Sequence, residues 1–339
     1  MIAAVAPRAR DEARLLRIDP CHARVSDRRI VDLPDMLRPG DVLVVNDAAT
    51  VPASLQAQVD GRALEIRLAG TVDGASCRAV LFGAGDWRTP TEHRPAPPRL
   101  APGTRLTLGP DFTATIVGVS SLSPRLVTLA FCPDDDSLPA RLFAHGRPVQ
   151  YSHLAAPLEL WDVQTAYGSR PWAVEAPSAG LSLSAATLVS LRRHGVHLAA
   201  LTHAAGLSAT GDPAIDAALP LPERYHIPAE TALAIRSTRM RRGRVVAVGT
   251  TVVRALEGAT RTHGWLRPGE GTTDLHIGPG FRPRIVDGLL TGLHEPGSSH
   301  IDLLRAFVPP PVLDSAYAHA VAAGYRGHEL GDTSLVLCA

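Results

Sequence analysis

The stretch between residues 54 and 150 constrains the fold most, because it carries short β-type runs that alternate with Gly, Pro and Asp turns. Several short strands at such regular spacing are typical of an all-β sandwich or barrel. We therefore predict a small antiparallel β-barrel here. The runs lie at residues 64–68, 77–81, 105–108, 113–117 and 126–129.

The sequence on both sides of this stretch has a different pattern. The apolar run at residues 42–45 suits a buried strand, and residues 196–202 and 244–248 read as further strands. Each of the two later strands lies beside a predicted helix, at 185–194 and at 252–262. Strands that alternate with helices indicate a largely parallel sheet. We predict an α/β domain formed by residues 1–54 and 151–339, with the barrel of residues 55–150 inserted into it.

The amino-acid composition excludes several classes of function but does not identify one. A chain of 339 residues with 45% hydrophobic content suits a two-domain globular protein. It contains no apolar run of the length that crosses a membrane, and its first residues are charged too early for a signal peptide, so we expect a cytoplasmic location. All 34 basic side chains are arginine. Schiff-base catalysis by lysine and the phosphate-loop lysine are therefore excluded.

The four cysteines are widely spaced. Cys21, Cys77, Cys132 and Cys338 form no Cys-x-x-Cys pattern and no disulfide framework. We expect them to be reduced and without a catalytic role.

Gly249, Thr250 and Thr251 connect a predicted strand to a predicted helix. The free N–H groups of a helix that begins at the carboxyl end of a strand are a common anion-binding site. Arg254 could add a positive charge there. The simpler interpretation, which the pattern alone favours, is an ordinary capped turn with an Arg254–Glu257 pair.

Two further segments are candidates for ligand binding or acid–base chemistry. Small residues from Glu175 to Ser182 would let a ligand approach the backbone, although any tight loop before a helix looks similar. Residues 287–300 contain His294, Glu295 and His300, but the spacing is not that of a helical zinc motif and Pro296 breaks a helix. We predict loop histidines suited to acid–base chemistry and no metal.

Taken together, many segments resemble the S-adenosylmethionine:tRNA ribosyltransferase-isomerase family of the queuosine pathway. The segments include Ala176-Pro177-Ser178-Ala179-Gly180-Leu181 and the residues around Gly249, and it is their order and collective spacing that carry the resemblance. The match runs in order through the chain, at residues 32–34, 37–41, 44–47, 51–53, 164–167, 176–181, 246–254, 279–281, 286–287, 291–296, 325–326 and 331–332.

The resemblance implies an enzyme that consumes S-adenosylmethionine as a ribosyl donor. The sulfonium charge acidifies the ribose C5′ protons, a base removes one, and adenine and methionine leave as the ribosyl carbons reach the acceptor. The implied acceptor is 7-aminomethyl-7-deazaguanine in tRNA. The implied partners are the small-molecule donor and tRNA, with no metal and no membrane, in a monomer or homodimer.

The resemblance also implies roles for individual residues. Donor-binding residues would be Gly249, Thr250, Thr251 and Arg254 at the polar end, and Ala176, Pro177, Ser178, Ala179, Gly180, Leu181, Gln164 and Tyr167 around the adenosine. His203 or His294 would transfer the proton. Glu223 and Asp287 would partner positive charge.

The chain departs from the family pattern at several polar positions, which keeps two other interpretations open. Ser182 stands where the family usually has His, and Gly327 and His328 follow Tyr325-Arg326 where it has aromatic residues. A divergent paralogue would use S-adenosylmethionine on a small molecule or cleave it without tRNA. An inactive relative would bind S-adenosylmethionine as a sensor.

Overall fold

The computed structural model describes all 339 residues. The strands, in chain order, are β1 (Ile2–Ala3), β2 (Arg14–Asp19), β3 (Arg24–Arg29), β4 (Val42–Asn46), β5 (Ala48–Thr50), β6 (Ser54–Val59), β7 (Arg62–Leu68), β8 (Ser76–Phe82), β9 (Arg105–Gly109), β10 (Phe112–Val119), β11 (Leu126–Cys132), β12 (Gly146–Arg147), β13 (Arg170–Ala173), β14 (His197–His203), β15 (Glu223–Ile227), β16 (Val245–Val248), β17 (Gly269–Thr273), β18 (Gly288–Gly292), β19 (Arg326–Gly327) and β20 (Thr333–Val336). The α-helices are α1 (Leu33–Met36), α2 (Leu138–His145), α3 (Ala185–Arg193), α4 (Pro213–Ala217), α5 (Ala229–Met240), α6 (Thr250–His263), α7 (Ser299–Leu304) and α8 (Pro310–Ala322).

The predicted barrel is confirmed. Strands β6 to β11 form a closed antiparallel barrel in the order β6-β7-β8-β11-β10-β9, and β9 pairs back onto β6 through Thr107 and Gln58. Alternate side chains point inward, as the pleat requires, and Leu55, Ala57 and Val59 of β6 are all buried. This core also takes in Val174 and Leu207 from outside residues 55–150, so barrel and α/β sheet are in direct apolar contact. The proposed domain limits stay a prediction.

The second sheet has nine strands and is mixed, where the sequence led us to expect a largely parallel one. Its order is β17-β15-β14-β4-β16-β18-β20-β2-β3. Strands β14, β4, β16 and β18 run parallel to one another at the centre. Antiparallel pairs add β15 and β17 on one side, and β20 pairs antiparallel to β18 on the other. Strand β18 was missed because its sequence, Gly-Leu-Leu-Thr-Gly, is short and glycine-bounded.

Helices cover both faces of this sheet. In β4, Val42 and Val44 face a core built with α5, α6 and α8, whereas Leu43 and Val45 face a core built with α1 and α3. The central strand is therefore apolar at every position, which is what a parallel strand buried on both faces needs. Ser184 caps α3, as predicted, by accepting a hydrogen bond from the Thr187 N–H. None of the helices has the length and apolar content needed to cross a bilayer.

One cysteine prediction is wrong. Cys21 and Cys338 form a disulfide that joins the turn after β2 to the end of the chain, while Cys77 and Cys132 are free. The pair is 317 residues apart in sequence. No local spacing could have indicated it, because parallel pairing of β2 with β20 brings the two cysteines together.

Candidate functional site

A cleft opens where the four central parallel strands end. Parallel strands place their carboxyl ends on one edge of the sheet, and ligands of α/β proteins commonly bind there. Segments after β13, β14 and β16, together with the end of β18, line the cleft, and residues just after β19 close it. Its walls are formed by residues 175–179, 205–208 and 249–251, together with Glu223, Arg254, Thr291, Gly292, His294, His300, His328 and Glu329.

The N-terminus of α6 points into this cleft. Gly249 has φ +92°, a left-handed conformation that favours glycine and turns the chain from β16 into the helix. The helix begins at Thr250, two residues earlier than predicted. No side chain caps it, so the first-turn N–H groups of this helix stay available to a bound anion.

Arg254, one turn into α6, forms an ion pair across the cleft with Glu223 of β15. Its Nε and Nη2 lie 3.1 and 2.7 Å from Glu223 Oε2, a two-pronged contact, and the Gly206 N–H donates to Oε1 at 2.9 Å. Burial opposes ionisation of Glu223, but Arg254 and the Gly206 N–H outweigh it and lower the pKa of the carboxyl. Glu223 is thus a fixed negative charge.

The simpler interpretation of the α6 motif is wrong in one respect. Glu257 does not pair with Arg254; its carboxylate instead accepts hydrogen bonds from the backbone N–H groups of Arg284, Ile285 and Val286. Arg254 therefore has no partner on its own helix, and its charge is directed to the cleft.

His203 lies beneath the cleft rather than in it. The side chain is fully buried, with Nε2 3.3 Å from Glu223 Oε2. Burial lowers the pKa of His203 to about 4, so the ring is neutral at physiological pH. The structure does not place this ring where a substrate could touch it.

Only part of the loop formed by residues 176–181 lines the cleft. Ala176, Pro177, Ser178 and Ala179 line the cleft, whereas Gly180 and Leu181 do not. A Cβ on Gly180 would lie 2.0 Å from the Tyr167 hydroxyl, so only glycine lets Tyr167 pack there. Tyr167 thus supports the loop from behind.

Gln164 also lies outside the cleft. Its amide accepts a hydrogen bond from the Thr50 N–H at 3.0 Å and donates to the Thr50 carbonyl at 2.8 Å. Both polar atoms of the side chain are occupied, so Gln164 anchors its segment to β5 and does not line the site.

Glu175 is a cleft residue that the sequence did not single out. Its Oε1 accepts hydrogen bonds from the Tyr151 hydroxyl and from the Ser208 N–H at 3.0 Å, which leaves Oε2 without a protein partner. Burial, with a contribution from Glu329, raises the pKa of Glu175 to about 7 despite these hydrogen bonds. The detectable signal was a carboxylate directly before the loop, but only the fold shows that no arginine or histidine forms an ion pair with it.

His294 lies at the cleft as predicted. Its Nε2 is 2.9 Å from Thr291 Oγ1, and its ring stacks on His300 with centroids 4.5 Å apart. Burial, followed by the neighbouring imidazoles of His300 and His328, lowers the pKa of His294 well below its usual value. The ring is therefore neutral, and a weak base.

Asp287 is not part of this site. It precedes β18, whereas the cleft lies where β18 ends. A five-residue strand is about 15 Å long, so Asp287 lies about that far from the cleft, at the opposite edge of the sheet. Its carboxylate accepts the Val245 N–H at 2.8 Å and its own N–H donates to the Val245 carbonyl. Asp287 therefore helps to fix the pairing of β18 with β16. The assignment failed because sequence proximity to His294 hides the length of the strand between them.

Two clusters have side chains that could hold a metal. Asp19, Cys21 and Cys338 form one, but its sulfurs are already joined in the disulfide. His153, His328 and Glu329 form the other, beside the cleft.

Comparison with known proteins agrees with this architecture. The sequence profile described as "Queuosine biosynthesis protein" matches residues 1–336. The chain belongs to this family. Among its relatives, an S-adenosylmethionine:tRNA ribosyltransferase-isomerase of Gluconacetobacter diazotrophicus is 38% identical, with 99% of this chain and 93% of the relative covered. The enzyme of the same name from Acidiphilium cryptum is 35% identical over 99% of this chain and 95% of its own.

A solved structure shares the fold. The crystal structure of S-adenosylmethionine tRNA ribosyltransferase from Thermotoga maritima is similar with a TM-score of 0.55 and 27% identity, covering 99% of this chain and 96% of that one. The family has thus kept the α/β sheet with an inserted barrel.

Proposed function

We propose that this protein is an S-adenosylmethionine-consuming ribosyltransferase-isomerase acting in queuosine biosynthesis. It would transfer the ribosyl carbons of S-adenosylmethionine to 7-aminomethyl-7-deazaguanine in tRNA and release adenine and methionine. The names of the full-length relatives support this reaction, whereas nothing supports a small-molecule acceptor or a sensor.

The Glu223–Arg254 pair beside the α6 N-terminus carries the proposal. The methionine end of the donor is a zwitterion, so it needs a cation and an anion a few ångströms apart. Arg254 and the free N–H groups at Thr250 and Thr251 would hold the carboxylate, and Glu223 would hold the ammonium. Ala176 to Ala179 would form the wall against the adenosine, since small side chains leave room for a flat base.

For proton removal from C5′ we propose Glu175 rather than His203 or His294. A general base works best when its pKa is near the working pH, and that of Glu175 is about 7. The low pKa of His294 makes it a poor proton acceptor, and His203 is buried under Glu223. His294 would instead orient the ribose through its ring and Thr291.

Arginines near the cleft support an RNA acceptor. Arg170 and Arg224 both lie beside Trp172, with guanidinium carbons 5.7 and 4.4 Å from its ring centroid. Arg224 is paired with Glu270, whereas the guanidinium of Arg170 has a hydrogen-bond contact with His226 and no carboxylate within ion-pair distance. Guanidinium groups beside an aromatic ring suit phosphates and an unstacked base.

The decisive experiment supplies S-adenosylmethionine with and without tRNA that carries the aminomethyl-deazaguanine precursor. Mass analysis should find the ribosyl group on that tRNA, with adenine and methionine in equal amount. The matched control is the same tRNA with guanine at that position, which should accept nothing. Adenine release at the same rate without tRNA would contradict the tRNA assignment and favour donor cleavage.

A further inference from the structure

At the edge of the cleft, whose walls include His328 and Glu329, these two residues meet His153 from a segment far away in sequence. His153 follows the barrel, and His328 and Glu329 follow β19. One ligand atom from each lies within 4.8 Å of the others. All three residues are partly buried, so their side chains are held by the fold and still reach solvent. It faces the groove that continues from the donor cleft past His294.

One distance inside the cluster matches the spacing of two ligands on a metal ion. His153 Nε2 lies 3.2 Å from Glu329 Oε2 and is buried, yet it makes no hydrogen bond. Ligands bound at about 2.0–2.1 Å in a tetrahedral zinc site lie about 3.3 Å from each other. The His153 and His328 rings have centroids 4.3 Å apart, and one nitrogen of each ring lies within 4.8 Å of the other and of a Glu329 oxygen.

A carboxylate stands behind one of these imidazoles. His328 Nε2 is 2.9 Å from Glu295 Oε1, which leaves Nδ1 as its ligand atom. Carboxylates commonly hold the second ring nitrogen of a metal-binding histidine in this way. His328 itself has φ +67°, an uncommon conformation for a residue with a side chain, and it fixes the direction of the ring.

We propose that His153, His328 and Glu329 form a binding site for a divalent transition-metal ion of the zinc class, with one coordination position open to the groove. Two histidines and one glutamate with an open fourth position are a known zinc ligand set. The site departs from our sequence-based expectation of no metal, which rested on residues 287–300 and on the absence of a Cys-x-x-Cys pattern. A bound ion would offer its free position to water or to an oxygen of a molecule in the groove.

The test is a calorimetric titration of chelator-treated full-length protein with Zn²⁺ alone, repeated with Co²⁺ to record the absorption of a tetrahedral site. One equivalent should bind. His153→Ala and Glu329→Gln should each abolish stoichiometric binding, and Glu295→Gln should weaken it by about 10- to 100-fold. Unfolding curves of the same variants check that each is folded.

Two controls separate this site from other ligands. His319→Ala removes a surface histidine that contacts Asp27, and the double variant Cys21→Ser, Cys338→Ser removes the disulfide cluster. Both should keep one equivalent of Zn²⁺. Absence of binding to the wild-type protein, or equal affinity in folded His153→Ala, would overturn the assignment.

Discussion

Two of the glutamates that line the cleft, Glu223 on one wall and Glu175 on another, lie in different environments. Glu223 is buried against Arg254 and a backbone N–H, so its pKa is lowered and it stays charged. Glu175 accepts hydrogen bonds from a hydroxyl and a backbone N–H but forms no ion pair, so burial dominates and its pKa rises to about 7. One wall therefore suits holding charge, and the other suits moving a proton.

Replacing Glu175 should have the largest effect on catalysis. Glu175→Gln keeps the shape and the hydrogen bond from the Ser208 N–H but cannot accept a proton. We expect turnover to fall by about 10²- to 10⁴-fold with little change in donor affinity. Single-turnover assays and equilibrium binding of S-adenosylmethionine measure the two quantities. His294→Ala, made in parallel, should keep donor binding and lose less turnover than Glu175→Gln; a larger loss would return His294 to the role of base.

Replacing Arg254 should have the largest effect on stability. Arg254→Ala leaves Glu223 buried without its cation, and breaking such a pair costs about 3 kcal/mol, toward the low end for buried pairs because the site opens onto the cleft. Denaturant unfolding measures the loss, and donor affinity should fall with it. The control Arg305→Ala removes an exposed helical pair with Asp302 and should cost at most about 0.5 kcal/mol. Equal losses would show that Glu223 does not depend on Arg254.

The pH dependence should report Glu175 alone. A base must be ionised, so kcat/KM should rise with pH as the carboxyl with pKa about 7 loses its proton, and then level off. Glu223 is already ionised in this range and should contribute no step. A profile that is flat from pH 6 to pH 8 would contradict the proposed role of Glu175.

Tyr151→Phe should give the smallest change, a shift of that profile. The Tyr151 hydroxyl donates to the carboxylate, which favours its charged form, so removing it raises the pKa of Glu175. We expect the rise in kcat/KM to move by about one to two pH units to higher pH, from the strength of a hydrogen bond to a charged group. A shift to lower pH would be inconsistent with this contact.

Local patterns predicted much of this protein correctly. The five β-type runs became barrel strands, and the strand, turn and helix around Gly249 appeared almost as expected. These features depend on alternation of apolar residues, on turn residues and on caps, which act over a few positions. The family resemblance indicated the loop at Ala176 and the helix at Thr250 as donor-binding elements; both line the cleft, and their donor-binding role stays a prediction.

Other features arose only from contacts between distant segments. Glu175 looks like any loop carboxylate until Tyr151 and Ser208 are seen beside it, and Asp287 looks like a site residue until β18 separates it from His294. The disulfide Cys21–Cys338 and the cluster of His153, His328 and Glu329 likewise join parts of the chain that sequence spacing cannot relate.

The sequence by itself determined the elements, the inserted barrel and the family, because short-range periodicity and ordered motifs encode them. The tertiary structure decided which side chains share the cleft and which glutamate holds its charge. A pKa depends on burial and on neighbours within a few ångströms, and the fold alone sets those distances.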